Sequence, residues 1–386
     1  MAQVNEGYLY QNKRVLFLLR IVDPLLFLLP KQKRAFPGEI GKILIIKPDN
    51  IGDMLLLTSV LPLIHKKYPQ AVIDIVGNKQ NLPILENNPY IRNRYRVNHY
   101  KHNRDKMSGL KKKWVFLKTY LASIKKFKNQ EYDLCLIMRA YGNNLISFAK
   151  FVKCRYIIGH RTGGLGALLD EVVQWKEGVH EVEHFLEVLR PLGISAAIKD
   201  LHYELYPSRL TMEKVSILWN KLFTKGEHVA IVHPGAGDPK RTLSVEQWES
   251  CINFLENKGY HVTITGISEE NMLAQEIASP TCTVLCGMLN VMELACFFRM
   301  ASLVVTVETL AAHLGGWSGA RTIAFYGGVN DTRQWKPLGE NVVVVDRFCD
   351  KAPCFNGCKE KKCMDFELSK KDLSDKIPDL QKNITH

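Results

Sequence analysis

Residues 42–53 read KILIIKPDNIGD, and this stretch decides the fold class. Its first part, 42–46, is a short apolar run rich in isoleucine, which is typical of a buried strand. The segment 48–53 has turn chemistry, and the apolar residues at 54–67 then recur with helical spacing. A strand that passes through a tight turn into a helix predicts the first half of a βαβ unit.

The same alternation of strands and helices extends over most of the chain. Further strands are predicted at 71–77, 132–138, 155–160, 228–233, 260–266, 283–287, 303–307, 322–328 and 342–346. Helices are predicted at 54–67 and 180–192 in the first half and between most strands of the second half, for example at 244–259. Regular alternation predicts parallel sheets with right-handed crossovers. We therefore expect an α/β protein with two Rossmann-like domains that face each other across a cleft.

The chain has 386 residues, which is more than one hydrophobic core usually serves. A polar connection near 195–226 separates the two alternating halves. We therefore expect an N-terminal domain at 41–205 and a C-terminal domain at 226–386, preceded by a separate segment at 1–40.

That N-terminal segment contains KRVLFLLRIVDPLLFLLP at 13–30, followed by Lys31, Lys33 and Arg34. A membrane-spanning helix needs about 20 apolar residues, and Arg20, Asp23 and Pro24 interrupt this run. Two interpretations remain open. The segment is either a broken amphipathic element that lies on an anionic membrane, or a helix that packs on the core of its own domain.

The charge of the chain favours anionic partners. Lys and Arg number 52 and Asp and Glu 39, a formal net charge of +13. Such a surface attracts nucleic acid, anionic lipid or phosphorylated glycolipid, although it is also compatible with no particular partner. The densest basic stretch lies at 92–128 and includes Arg104, Lys106 and Lys111.

Four of the ten cysteines lie within fifteen residues near the C-terminus: Cys349, Cys354, Cys358 and Cys363. Four thiolates this close together favour a structural Zn²⁺ or iron ion. Their spacing is not that of two CxxC pairs, so free thiols or disulfides remain an alternative. The other cysteines stand singly among apolar residues, which fits a reducing compartment.

Asp53 follows the first strand and Gly52, at the start of a helix. It is interpreted either as a carboxylate base or as an ordinary helix N-cap. No GxGxxG motif follows this strand and the chain contains no P-loop, so ordinary dinucleotide-binding and P-loop ATPase sites are excluded.

Two segments of the second half have the composition of anion sites. HPGAGDPKR at 233–241 offers the backbone of Gly235 and Ala236, with Lys240 and Arg241 beside it, for a phosphate. In ETLAAHLGGWSG at 308–319, Glu308 and Thr309 stand at a helix start and His313 one turn later. A helix start of this kind suits a pyrophosphate.

Taken in order, these segments resemble the ADP-heptose:lipopolysaccharide heptosyltransferases of glycosyltransferase family 9. The resemblance covers about Lys42 to Cys363 and implies a GT-B fold. Two departures affect the donor sugar, since Glu308 replaces the usual aspartate of the family and Leu310 replaces a glycine.

The resemblance also implies a role for each matching residue. Asp53 would be the catalytic base of an inverting transfer, and Glu270, with Glu269 as the alternative, would hold the ribose of the donor. The donor phosphates would lie between the two anion segments, and the basic stretch would bind the acceptor. The implied donor-binding set is Gly235, Ala236, Lys240, Arg241, Glu270, Glu308, Thr309 and His313, and the implied acceptor-binding set is Arg104, Lys106 and Lys111.

We therefore expect a heptosyltransferase that uses a nucleotide sugar similar to ADP-heptose and an anionic glycolipid acceptor of the lipopolysaccharide core. It would work in the cytoplasm, peripherally on the inner-membrane surface, without a catalytic metal and without nucleic acid. One alternative is a protein acceptor. Another is a catalytically silent relative that binds an anionic glycan or RNA. The two departures at 308–310 favour this alternative, whereas the presence of Asp53, Lys240 and His313 argues against it.

Overall fold

The computed structural model describes residues 7–9, 13–28, 34–100, 105–127, 130–141, 145–354 and 363–364. The chain divides into two compact units, Met1–Tyr206 and Pro207–His386. The predicted domain limits at 205 and 226 stay predictions. The segment between these two positions contains a helix.

The first unit is built on a parallel sheet of six strands in the order β3-β2-β1-β4-β5-β6. The strands are β1 (Lys42–Ile46), β2 (Val72–Gly77), β3 (Ile91–Arg96), β4 (Tyr132–Ile137), β5 (Cys154–His160) and β6 (Glu171–Val173). The helices are α1 (Lys13–Leu28), α2 (Ile51–Thr58), α3 (Leu61–Lys67), α4 (Gly109–Phe127), α5 (Ile146–Phe151) and α6 (Glu181–Leu189). Strand β1 lies at the centre and its last four residues are fully buried, as expected when helices cover both faces of a sheet.

The second unit repeats this plan, with six parallel strands in the order β12-β11-β10-β7-β8-β9. The strands are β7 (Val229–His233), β8 (His261–Ile264), β9 (Thr283–Val284), β10 (Leu303–Val307), β11 (Arg321–Tyr326) and β12 (Val342–Asp346). The helices are α7 (Arg209–Leu222), α8 (Val245–Asn257), α9 (Asn271–Ile277), α10 (Val291–Met300), α11 (Leu310–Ser318) and α12 (Thr332–Trp335). Trp248 of α8 and Phe325 of β11 fill the core between sheet and helices.

Both sheets have the strand order of a Rossmann fold. The order reverses between β1 and β4 in the first unit, and between β7 and β10 in the second. The predicted α/β class with two Rossmann-like domains is confirmed. In such sheets ligands bind beyond the carboxyl ends of the strands, next to the point of reversal.

Two strands, β3 and β6, and three helices, α4, α5 and α7, were not predicted from the sequence. Strand β3 lies in the stretch taken only as a basic surface, and β6 is too short to give a pattern. The supposed polar connection near 195–226 contains helix α7, which begins after Ser208, whose side chain accepts the N–H of Thr211 at 3.0 Å. Only Val215 of α7 is buried, and Leu210, Met212 and Ile217 are exposed, so the apolar residues of this helix are spread around it and do not mark one buried face in the sequence.

Helix α1 shows that the N-terminal segment packs on its own domain, and binding of its exposed face to a membrane stays a prediction. The helix runs unbroken through Pro24, so the predicted break is wrong. Leu16 and Leu19 are buried, and the backbone N–H of Leu165 donates to the Asp23 carboxylate at 2.9 Å. Helix α1 is thus packed on its own unit. Within the described residues, no helix is both long enough and apolar enough to cross a bilayer.

Two buried histidines of the first unit remain neutral because burial disfavours the charged ring. Burial lowers the pKa of His160 to about 4 and that of His184 to about 3. The His184 ring stacks on Trp175 with centroids 5.2 Å apart and faces the edge of the His160 ring.

Because both folded pKa values lie below the ordinary value of 6.5, the unfolded chain binds protons first as the pH falls. The contribution of the two histidines to the free energy of unfolding should therefore be at its full value above about pH 7 and decrease as the pH falls below 6.5. Between pH 7 and 5 one such histidine contributes a loss of about 2 kcal/mol. His184→Phe, which keeps a ring against Trp175, should remove about that much of the pH dependence in urea unfolding curves. An unchanged slope would mean that His184 is protonated in the folded protein.

Candidate functional site

The carboxyl edge of the second sheet brings together the segments that the sequence singled out. Strand β7 lies between β10 and β8, so the three loops that follow these strands are neighbours. They carry the segments 234–241, 266–271 and 308–313. This edge is the point of strand reversal, where an α/β sheet of this order binds its ligand.

The loop after β7 is held in one shape by side chains behind it. The Thr242 hydroxyl donates to the carbonyl of Pro234 at 2.7 Å, and the indole of Trp248 donates to Thr242 at 3.2 Å. The N–H of Lys240 donates to the Asp238 carboxylate at 3.0 Å, which starts a short turn of 3₁₀ helix. The side chains of Lys240 and Arg241 are therefore presented from a fixed backbone.

The carboxylate of Glu270 lies directly against that loop. A β-carbon added to Gly235 would lie 2.0 Å from the Glu270 carboxyl carbon, and one added to Gly266 would lie 2.6 Å from Oε2. Only glycine fits at these two positions while Glu270 holds this place. Burial raises the pKa of Glu270, and its Oε2 accepts the N–H of Ile267 at 2.9 Å. Glu269, the alternative for the same role, is exposed.

Glu308 lies at the same edge of the sheet, directly after β10. It is buried, and the amide of Asn330 donates to its Oε1. Within the described part of the chain its Oε2 has no hydrogen-bond partner. Burial raises the pKa of Glu308, while the nearby Arg241 guanidinium opposes that shift. A buried carboxylate oxygen without a partner is costly, and this one is available to a ligand hydroxyl.

The next two residues of interest lie on α11. Thr309 is the N-cap of this helix, and its hydroxyl oxygen accepts the N–H of Ala311 at 3.3 Å. His313 follows one turn later and is buried. The first amides of α11 therefore lie at the same edge as the loop after β7, as an anion site requires.

In the first unit, Asp53 lies beyond the carboxyl end of β1. The N-cap of α2 is Asn50, so the interpretation of Asp53 as the N-cap is wrong by three residues. The N–H of Asn50 donates to Asp53 Oδ2 at 3.1 Å. Asp53 is 9% exposed, so the residue is nearly but not completely buried.

A buried ionic cluster that was not predicted from the sequence lies next to Asp53. The Lys47 ammonium lies 3.0 Å from Asp49 Oδ2 and 3.4 Å from Glu181 Oε1, and Arg139 pairs with Asp49. Burial lowers the pKa of Lys47, while the charges of Glu181 and Asp53 act against that shift. Lys47 follows β1 and Arg139 follows β4 by two residues. Charged residues directly after buried strands were the signal to look for.

The backbone of this cluster is fixed by two asparagines. The Asn78 amide donates to the carbonyl of Asp49 at 2.6 Å, and the Asn81 amide donates to that of Lys47 at 3.0 Å. The cluster therefore holds Lys47, a charged neighbour of Asp53, in place at the reversal point of the first sheet.

Comparison with known proteins assigns the chain to a family. Residues 120–364 match the model of glycosyltransferase family 9 (heptosyltransferase). The chain belongs to this family. A curated relative, lipopolysaccharide heptosyltransferase 3 of Escherichia coli K12, is 26% identical over 311 residues, which cover 76% of this chain and 84% of the relative. The predicted enzyme class, a glycosyltransferase, is thereby confirmed.

Solved structures of the family share the fold. The glycosyltransferase family 9 protein of Veillonella parvula matches with a TM-score of 0.66 and 15% identity, covering 82% of this chain and 88% of that one. The E. coli ADP-heptose lps heptosyltransferase II matches with a TM-score of 0.60 and 18% identity, covering 80% and 91%. The predicted GT-B type of this family 9 chain is confirmed.

The structure of this glycosyltransferase separates the basic stretch at 92–128 into two kinds of residue. Arg92 pairs with the buried Asp74 at 2.6 Å, and Arg94 donates to the carbonyl of Leu85, so both stabilise the unit itself. Lys106 and Lys111 are exposed, and Arg104 lies outside the described residues.

The cysteine cluster is described only in part, since Cys358 lies outside the described residues. Cys354 and Cys363 lie beside the same turn: the N–H of Cys354 donates to the carbonyl of Gly328 at 2.8 Å, and Cys363 Sγ lies 3.7 Å from the place of a Gly328 β-carbon. Among the described residues no three potential ligands come together as a metal site. Cys349, Cys354 and Cys363 are all partly buried thiols.

Proposed function

We propose that this protein transfers a heptose or a related sugar from a nucleoside-diphosphate donor, of the ADP-heptose class, to a lipopolysaccharide-core acceptor. The observation that carries the proposal is the meeting of three loops at the reversal point of the second sheet, with Glu270 packed on Gly235 and Glu308 beside Arg241. The names of the relatives, lipopolysaccharide heptosyltransferase 3 and ADP-heptose lps heptosyltransferase II, support the same donor and acceptor.

Each donor group has a matching partner at this edge. The Glu270 carboxylate suits the two hydroxyls of a ribose, which donate to it. Lys240, Arg241 and the first amides of α11 suit the diphosphate. The second oxygen of Glu308 suits a hydroxyl of the sugar, because binding would supply the partner that this buried atom lacks.

The chemistry we propose is a single displacement with inversion. An acceptor hydroxyl oxygen attacks the anomeric carbon, and its proton passes to the Asp53 carboxylate. The bond between that carbon and the diphosphate oxygen breaks, and its electron pair leaves with the diphosphate. Lys240, His313 and the α11 amides stabilise the departing charge. The buried Lys47 ammonium lies close enough for the charge of Asp53 to act on it.

The acceptor is proposed to be anionic and membrane-bound. The exposed Lys106 and Lys111 suit phosphates or acidic sugars, and a net charge of +13 favours an anionic surface. We propose that the enzyme works in the cytoplasm, attached peripherally to the inner membrane. No catalytic metal and no nucleic acid take part in this proposal.

The clustered cysteines are proposed to hold one structural Zn²⁺ or iron ion. Elemental analysis of freshly purified protein should give a near-stoichiometric metal content, and Cys354→Ser should lower both that content and the melting temperature. Affinity for a nucleoside diphosphate should stay unchanged, since these thiols are not among the proposed donor contacts. Metal-free protein with normal stability would contradict the site.

A donor panel tests the function. Purified full-length protein is incubated with ADP-, UDP- and GDP-sugars, with and without a deacylated lipopolysaccharide-core acceptor, and products are read by mass spectrometry. We expect a heptosylated acceptor with the ADP-sugar. Transfer only from another donor would indicate that Glu308 and Leu310 are adapted to bind the sugar of that donor. Heptosylation of a protein and not of the glycan would replace the acceptor, and binding without turnover would identify a silent member.

A further inference from the structure

Helix α4 carries an exposed apolar stripe that its own unit does not cover. Leu110, Trp114, Leu117 and Leu121 are each more than half exposed. They follow one another at spacings of four, three and four residues, so they lie on one face of the helix. The opposite face is used internally, since Ser123 and Phe127 are buried. Of the six tryptophans, all within the described residues, Trp114 is the one that is exposed.

The charges of α4 all have one sign. The helix contains no acidic residue, and its basic residues are Lys111, Lys112, Lys113, Lys118, Lys125 and Lys126. Successive residues turn by about 100° around a helix, which places Lys111 and Lys118 on one side of the apolar stripe and Lys113 on the other. An apolar stripe between two basic flanks is typical of a helix that lies on an anionic membrane.

Helix α1 presents a second stripe of the same kind. The residues exposed on it are Phe17, Leu18, Ile21, Leu25 and Leu28. Its exposed charges are basic, since Lys13, Arg14 and Arg20 face outward while Asp23 is buried against Leu165. The buried side of α1 therefore holds the helix on its unit, while the exposed apolar stripe on the other side remains uncovered.

An apolar cavity of about 520 Å³ lies between the two helices. Leu18, Leu19 and Val22 of α1 line it on one side, and Phe116, Leu117 and Tyr120 of α4 on the other. Leu18 and Leu117 line the cavity and are also exposed, so its mouth opens between the two stripes. The volume falls in the range of ordinary ligand pockets.

We propose that α1 and α4 form one membrane-docking surface and that the cavity between them takes an acyl chain of an anionic phospholipid. The inference rests on the proposed peripheral attachment and adds its site and its ligand. An acyl chain matches the apolar lining, and an anionic headgroup at the mouth meets the lysines of α4. A second copy of the chain would bring two basic surfaces together, which is unfavourable.

Vesicle binding by the full-length protein tests the docking surface. Vesicles that contain phosphatidylglycerol should bind the protein, and pure phosphatidylcholine vesicles should bind it much less. Leu117→Asp should lower partition at least about tenfold, because it places a charge in the middle of the stripe. The matched control is Ile217→Asp on α7, a residue that is 71% exposed but lies in the other unit and should change partition less than about twofold.

Two further readouts address the helix and the cavity separately. Phospholipids brominated on the acyl chain should quench Trp114 fluorescence, and the quenched component should be absent in Trp114→Phe. A fluorescent fatty acid, dansylundecanoic acid, should bind at one site per chain, and Val22→Trp, which fills the cavity, should reduce that affinity at least about tenfold. Circular dichroism melting identifies any variant that fails to fold.

The outcomes distinguish this inference from the function on which it rests. If wild-type protein does not bind phosphatidylglycerol vesicles, membrane attachment itself fails. If the wild-type protein binds these vesicles and Leu117→Asp binds them equally well, α4 is not part of the docking surface. If Val22→Trp binds the fatty acid as well as the wild type does, the cavity is not the site of the fatty acid. Self-association that Leu117→Asp abolishes, without vesicle binding, would assign the surface to a second copy. Heptosyl transfer to a water-soluble acceptor is independent of all these results.

Discussion

Asp53→Asn is expected to lower turnover at least about a hundredfold while the melting temperature and donor affinity stay nearly unchanged. An asparagine at this position keeps an oxygen that accepts the N–H of Asn50, so the start of α2 is preserved. What it loses is the ability to take a proton from the acceptor hydroxyl. Initial rates at saturating donor, combined with thermal melting and donor titration, separate these effects.

The control for this substitution is Asp133→Asn. Asp133 lies on β4, and its carboxylate accepts the N–H groups of Gly41 and Lys42 at 2.9 and 3.0 Å, at the amino end of β1. It should change stability and leave turnover near normal, the reverse of Asp53→Asn. Near-normal turnover of Asp53→Asn with the true acceptor would show that another group is the base.

Lys240→Ala should weaken binding of ADP about ten- to a hundredfold, because a charge-assisted hydrogen bond to phosphate is worth about 1.5–3 kcal/mol. The charge meets the phosphates both before and during transfer, so kcat/KM should fall by a similar factor and kcat by less. Isothermal titration calorimetry with ADP and steady-state kinetics measure the two quantities.

Lys225→Ala removes the same charge from an exposed turn that precedes β7 and serves as the control. It should leave ADP affinity within about twofold, since an exposed charge away from the ligand is screened by salt. Equal weakening by both substitutions would mean that Lys240 acts only through the overall positive field. Full affinity in Lys240→Ala would assign the phosphates to Arg241 and the α11 amides.

The fold was largely predictable because its strands are short, apolar and separated by helices. The runs at 42–46, 303–307 and 342–346 coincide with β1, β10 and β12 as observed. Strand β3 was hidden by its arginines, since Arg92 and Arg94 lie in a strand but find partners within the unit. The charge of a residue in the sequence does not show whether its side chain faces solvent or pairs within the unit.

The candidate site was predictable where its residues lie in short polar or glycine-containing segments at the passage from a strand to a helix, as Asp53 and Glu308 do. The ionic cluster was not, because Lys47 and Glu181 meet across 134 positions of the chain. No local pattern records such a pair. The close packing of Glu270 on Gly235 was likewise not readable, although both residues had been singled out separately.

The attachment of α1 has a consequence for any shortened form of this enzyme. A chain that begins near Pro37 would leave the backbone N–H of Leu165 without the Asp23 carboxylate and would uncover Gly164, where Leu19 now lies within 3 Å of the place of a β-carbon. Such a protein would lose a buried face together with its outer apolar stripe. Better solubility after trimming would then be gained at the expense of the first unit's stability, and a chain that keeps α1 is the better starting point for expression.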